Sequence, residues 1–198
     1  MRQDVALAGR YRNLSEKGLL VIIWLNGTFG AGKTTTARHL ATRLENARLF
    51  DAELVGYLLR EALDDHKVKD FQELPPWREL VPVVTEKISA FTGQHLIAVQ
   101  TVLSKDYWAE LAQGFSTTSL DIFHVLLHVD SDVLTARIKA DEVEPKAWQW
   151  RLSHISEYEQ SRSWMESAAD LAIDSTSLSV ADVAEQIAIA AEKRMAQS

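Results

Sequence analysis

The stretch "LLVIIWLNGTFGAGKTTTARHL", residues 19–40, constrains the fold more than any other part of the chain. An unbroken apolar run leads into G-x-x-x-x-G-K-T over Gly27 to Thr34, and a helix-forming segment comes next. A loop that wraps a polyphosphate must aim its backbone N–H groups at the oxygens, and glycine lets the chain come that close. Gly27, Gly30 and Gly32 meet that need, with Thr28, Phe29 and Ala31 between them. Lys33 is placed to reach the outer phosphates and the Thr34 hydroxyl to hold Mg2+, while Thr35 and the helix N-terminus favour an inner phosphate. The alternative is a glycine-rich turn that only joins strand to helix. The lysine, the threonine and both flanks speak against it.

The same alternation of short apolar runs and longer amphipathic stretches continues along the chain. Strands are expected at 19–26, 47–51, 95–101, 121–130 and 170–174, and helices at 33–44, 52–63, 77–91, 106–113, 132–138, 147–167 and 180–194. This order predicts an α/β fold, a doubly wound five-stranded parallel sheet with helices on both faces. Ser131 is the expected N-cap of the fifth helix. In the last helix Val180, Val183, Ile187 and Ala191 read as packing on the sheet. Residues 64–76 are polar and interrupted by Pro75 and Pro76, and read as a loop on the ligand side. "KADEVEPK", 139–146, is charged and weakly patterned, the mark of a mobile lid extending to about residue 150. Residues 1–18 form an N-terminal extension and 19–198 one domain.

Composition closes off several functions. Lys and Arg number 21 against 28 Asp and Glu, a formal charge of -7, without a basic cluster able to follow a nucleic-acid backbone. There is no cysteine, so disulfides, thiolate catalysis and thiolate metal sites are excluded. The longest apolar run, 19–25, is too short to span a bilayer, and 1–18 lacks the apolar core of a signal peptide. A cytoplasmic monomer or homodimer acting on a small molecule is the expectation.

Phosphate-binding loops serve motors, GTPases, synthetases and small kinases. The chain is short for a motor, and it carries neither an N-K-x-D base-reading signature nor a ring-ATPase arginine finger. That favours a P-loop fold of the nucleoside and nucleotide kinase type. Asp51 ends the second strand run, where a parallel sheet presents residues to its ligand, and it could accept a proton from an acceptor hydroxyl. It also reads as a cap before the helix. Arg137, ahead of the lid, is either a nucleotide contact or a solvated helix residue. Arg151 in "WQWRLSHISEYEQSR" could stabilise charge on a transferring phosphoryl group, or form a salt bridge on its helix. Trp148, Trp150 and Trp164 read as core or lid-hinge packing.

"IIWLNGTFGAGKTTTA", "FDAELVGYLLR", "DFQELPPWREL" and "LAIDSTSLSVADVAEQIA" together resemble the tunicamycin-resistance proteins, bacterial phosphate-loop proteins of nucleoside-monophosphate-kinase-like fold. The resemblance runs over 19–190, and "DFQ" followed by "PPWR" is its more specific part. It implies ATP and Mg2+ as cofactors, and capture of a nucleoside antibiotic carrying a uracil, sugars and a fatty acyl chain. Gly27 to Thr35 then match the nucleotide loop, and Asp51 the acidic residue after the second strand. Asp70, Phe71, Gln72, Trp77 and Arg78 match the motif facing the acceptor. An aromatic ring can stack on a base, an amide can read its edge and an arginine can hold a polar or anionic group. Helix packing is the other reading of Phe71 and Trp77.

Two departures stand out. The third strand run ends "AVQT", so Gln100 and Thr101 occupy the place where phosphate-loop enzymes often carry an acidic Mg2+ partner. The lid has Arg137 but Asp141 where related kinases carry a second arginine. The leading expectation is an ATP-dependent kinase of a nucleoside-type acceptor with Asp51, Lys33 and Arg151 at the reaction centre. An ATP-gated protein that sequesters the antibiotic without chemistry, and a kinase of another metabolite, are the alternatives.

Overall fold

A computed structural model describes residues 19–140 and 148–197. The N-terminal extension and 141–147 of the expected lid, Asp141 included, lie outside the described residues. The five expected strands form one all-parallel sheet of order β2-β3-β1-β4-β5. They are β1 (Val21–Asn26), β2 (Ala47–Phe50), β3 (His95–Val99), β4 (Asp121–His128) and β5 (Leu171–Asp174). All six residues of β1 are buried, so the central strand reads as a continuous apolar run instead of an alternating one. Its side chains still alternate between faces. Val21, Ile23 and Leu25 enter one core, and Ile22 and Trp24 the other.

The first core is covered by α1 (Lys33–Arg43) and α7 (Val180–Met195), the second by α2 (Glu53–Ala62), α3 (Pro75–Thr92) and α4 (Lys105–Ser116). Val183, Ile187 and Ala191 of α7 are buried as expected, whereas Val180 is only half-buried. Arg194, near the end of α7, donates to both carboxylate oxygens of Asp121, to Asp170 and to the Ile122 carbonyl. One side chain thereby ties the last helix to the starts of β4 and β5. Helices α5 (Ser131–Lys139) and α6 (Trp148–Ala168) pack on each other, and α6 reaches the core through Tyr158 and Met165 against Leu126.

Three local expectations are corrected. The N-cap of α5 is Asp130; the Ser131 hydroxyl instead donates to Glu159 of α6 at 2.9 Å. The segment expected as a plain loop holds a 3-10 turn, Phe71–Glu73, which Asp70 caps by accepting the Gln72 N–H at 3.0 Å. Pro75 and Pro76 begin a helix rather than interrupt one, because the first turn of a helix has no use for the missing N–H.

Trp77 therefore sits in the first turn of α3 and is fully buried, with its Nε1 donating to the Ala52 carbonyl at 3.0 Å. Trp77→Phe leaves that buried carbonyl without its donor. A loss of about 1–3 kcal/mol is expected from the midpoint of urea unfolding, with nucleotide affinity unchanged.

Candidate functional site

The site is built at the C-terminal end of β1. Asn26 closes the strand and anchors the glycine loop: its Oδ1 accepts from the N–H groups of Gly27 and Val102, both at 2.9 Å, and its Nδ2 donates to the Val102 carbonyl at 3.2 Å. Beneath it, the His124 ring stacks on Trp108 with centroids 3.9 Å apart, and burial lowers its pKa, keeping the imidazole neutral. Gly27 has φ 137°, and a Cβ there would lie 2.5 Å from the Leu127 carbonyl oxygen, so no other residue fits between loop and β4. Gly32, at φ 86°, is the N-cap of α1. No side chain caps that helix, and its first N–H groups remain available to an anion.

Lys33 is buried and donates to the carbonyls of Gly27 and Thr28, each at 2.8 Å. Its pKa is lowered to about 7, first by burial and second by repulsion from Arg151. The Gly27 carbonyl also accepts from the Thr101 hydroxyl at 2.9 Å. The Thr101 carbonyl in turn accepts from Gln72 Nε2 at 2.7 Å, and Gln72 Nε2 lies 3.3 Å from Asp70 Oδ2. A hydrogen-bonded path thus runs from the 3-10 turn to the glycine loop.

A cavity of about 530 Å³ opens over this path. It brings together Phe29, Lys33 and Thr34 from the loop, Asp70 and Phe71 from the 3-10 segment, Gln100 and Thr101 after β3, and Arg151 from α6. Asp51 does not line it. The N-cap of α2 is Ala52, not Asp51, and it has no side-chain cap; Asp51 Oδ1 accepts the Glu53 N–H at 2.9 Å from one residue earlier, and Asp51 lines an adjoining cavity of about 340 Å³ with Thr34, Arg38 and Glu53. Gln72, Trp77 and Arg78 also stay outside the main cavity. Gln72 supports the Thr101 carbonyl, and Arg78 is buried beneath the turn, donating to the Gln72 carbonyl and to Glu110 at 2.6 Å, with its guanidinium over Tyr107. Arg137 holds the carbonyls of Ser175 and Thr176 after β5, at 3.3 and 3.4 Å. Trp148 and Trp150 are exposed, not core, and only Trp164 packs inward. Trp150 instead meets the loop, 4.6 Å from the Phe29 ring and 4.2 Å from His154.

Sequence reading missed six residues that line the cavity: Glu53, Tyr57, Arg60, Lys69, Val99 and Trp150. The first three recur at i, i+4 and i+7 on one face of α2, a spacing that resembles any solvated helix stripe. Tyr57 donates its hydroxyl to Glu53 at 3.1 Å, and that bond is the first cause of its raised pKa.

The donor set suits a metal held chiefly by nucleotide phosphates. Thr34 offers a hydroxyl to the cavity, and among the described residues no three His, Asp or Glu side chains gather to hold an ion by themselves. Among the described residues no helix is long and apolar enough to cross a membrane.

Residues 22–163 match the family described as an AAA domain. A shikimate kinase from Thermosynechococcus vestitus is 31% identical over 155 residues, covering 75% of this chain and 77% of that protein. Of solved structures, the tunicamycin resistance protein of Deinococcus radiodurans is 28% identical with a TM-score of 0.65, over 87% of this chain and 95% of that one. A gluconokinase from Sinorhizobium meliloti 1021, 14% identical with a TM-score of 0.57 over 92% of this chain and 97% of that one, shares the fold. The chain belongs to the AAA domain family, among the P-loop kinase-like proteins to which that shikimate kinase and the tunicamycin resistance protein are related.

Proposed function

We propose that the protein is an ATP-dependent kinase that phosphorylates a hydroxyl of a nucleoside-type small molecule. The observation that carries this reading is the cavity in which the glycine loop, with Lys33 and Thr34, faces Asp70, Phe71 and Arg151. ATP, when bound, would supply the γ-phosphoryl group, and Mg2+ would neutralise part of its charge. Gly27 to Thr35 hold the phosphates, with Thr34 the side chain that reaches the metal. Lys33 leaves the Gly27 and Thr28 carbonyls to meet the outer phosphate, and Arg151 approaches from α6; both stabilise charge on the equatorial oxygens. The acceptor oxygen bonds to the γ-phosphorus as the bond to the β–γ bridging oxygen breaks, and the hydroxyl proton passes to a carboxylate. Asp51 is assigned that proton, beside Thr34 in the adjoining cavity, with Glu53 two residues on as the neighbouring carboxylate. Arg137 braces the segment after β5 on the nucleotide side.

The acceptor side is Asp70, Phe71, Gln100 and Thr101, while Gln72, Trp77 and Arg78 hold that wall in place. Tunicamycin is the first acceptor to test, because the Deinococcus radiodurans relative bears that resistance. A second reading, ATP-gated sequestration without chemistry, is favoured by Gln100 and Thr101 standing where an acidic metal partner is common.

Incubating the protein with ATP, Mg2+ and a panel of tunicamycin, nucleosides and hydroxy acids, followed by mass spectrometry, should reveal a phosphate adduct of at least one acceptor. A panel left unmodified with only background ADP favours sequestration. With that acceptor, Asp51→Asn should lower kcat by about 10²–10⁴ while nucleotide affinity holds. The same loss in Glu53→Gln alone would move the base to Glu53.

Lys33 gives a pH-dependent signature. At pH 8 a lysine with a pKa of about 7 is mostly neutral in the free protein, and polyphosphate restores its charge. Nucleotide binding at pH 8 should therefore take up close to one proton, and the uptake should vanish below about pH 6. Calorimetry in buffers of different ionisation enthalpy measures it; uptake that does not decline as pH falls would contradict the assignment.

A further inference from the structure

We infer that the acceptor carries an oxyanion, a carboxylate or a phosphate, and that Arg60 and Lys69 hold it on the wall of the cavity formed by α2 and the 3-10 segment. The inference rests on the kinase reading only in assigning this anion to the acceptor.

Four cations line the cavity, Lys33, Arg60, Lys69 and Arg151, against two carboxylates, Glu53 and Asp70. Both carboxylates are committed nearby: Asp70 to the Gln72 backbone and side-chain N–H groups, and Glu53 to the Tyr57 hydroxyl. Lys33 and Arg151 are close enough for Arg151 to lower the lysine's pKa, and together they serve the nucleotide phosphates. Arg60 comes from α2 and Lys69 from the chain just before the 3-10 turn, elements separate from the glycine loop and α6. Among the described residues no carboxylate forms an ion pair with either.

Arg60 is also held in place. Its guanidinium lies 4.3 Å from the centroid of the buried Phe71 ring and 5.5 Å from that of Tyr57, whose rings meet edge to face at 5.1 Å. Gly56, one turn before Arg60, makes this stack possible, since a Cβ there would fall 2.2 Å from Phe71 Cγ. A guanidinium over an aromatic face can still direct N–H groups away from the ring, and a pair of them matches the paired oxygens of a carboxylate or phosphate. Arg60 thus covers the ring expected to stack on a nucleobase, and an approaching acceptor meets a cation instead of a bare aromatic face.

The test uses the whole protein saturated with Mg2+ and AMP-PNP, so that the glycine loop is filled. Sulfate and malonate are titrated separately while the Arg60 Nε–H resonance is followed by NMR. A saturable shift with millimolar affinity is expected, weakened at least tenfold in Arg60→Gln/Lys69→Gln. Both side chains are exposed, so the double variant should keep its melting temperature. Gly56→Ala, which displaces Phe71 while keeping both cations, should weaken the same titration. The preferred anion separates a tetrahedral from a planar group. An unmoved Arg60 resonance, or sulfate and malonate affinity unchanged in the double variant, would overturn the oxyanion site. Failure of AMP-PNP to bind would count against the kinase reading instead, and the Arg60-dependent titration would still be decided in the free protein.

Discussion

The backbone carbonyl of Gly27 is the point on which the site turns. It accepts from Lys33 within the loop and from Thr101 after β3, while the Gly27 N–H donates to Asn26. One residue at the end of the central strand thereby joins the glycine loop to the segment after β3 through three hydrogen bonds. Because Asn26 and Thr101 are buried, these bonds work in a low-dielectric setting where an unmade bond is expensive. The glycine's own conformation is forced by the Leu127 carbonyl packed against its Cα. The loop therefore inherits its position from β1 and β4 and does not depend on a ligand to set it.

From that residue the far wall of the cavity is reached in three steps: Gly27 to Thr101, Thr101 to Gln72, and Gln72 to Asp70. Arg78 holds the Gln72 carbonyl from below and is itself pinned to Glu110. The "DFQ…PPWR" segment contributes more by building this support than by touching a ligand. Only Asp70 and Phe71 face the cavity; the others keep the 3-10 turn at a fixed height above β3. The wall that closes from the other side is different in kind. Trp150 and His154 of α6 rest on the Phe29 ring, which belongs to the glycine loop. Through these two rings the glycine loop touches the helix that carries Arg151.

The sheet and the glycine loop were legible in the sequence because each depends on a pattern that little else imitates: a fully apolar central strand, glycines at fixed spacing, then a lysine and a threonine. The acceptor wall was legible only in outline. Trp77 and Arg78 read as ligand contacts while Pro75 and Pro76 looked like a broken loop. Once the prolines occupy the first turn of α3, both side chains turn inward. Glu53, Tyr57 and Arg60 escaped notice for the opposite reason, since polar residues at helical spacing are what any solvated face displays. Their meaning comes from Phe71, which packs on Gly56 from 15 positions further along the chain. Such a contact has no trace in local periodicity.

The neutral end of β3 is a consequence of the same peptide. A carboxylate at position 101 would present an acceptor to the Gly27 carbonyl, another acceptor, in a buried setting, and would cost the donor that Thr101 supplies. An acidic residue there and the present tether of the glycine loop are mutually exclusive. Two acidic side chains that share a cavity with Thr34 come instead from the turn after β2 and the start of α2. Asp51 and Glu53 share the smaller cavity with Thr34, and the Asp51 carboxylate fixes the first turn of α2 by accepting the Glu53 N–H. In the kinase reading proposed above, the charge that such enzymes often place on the third strand would be carried by the start of α2, the helix that also bears Tyr57 and Arg60. Glu53, Tyr57 and Arg60 thus line the cavity from one helix, with Gly56 packed against Phe71 between them.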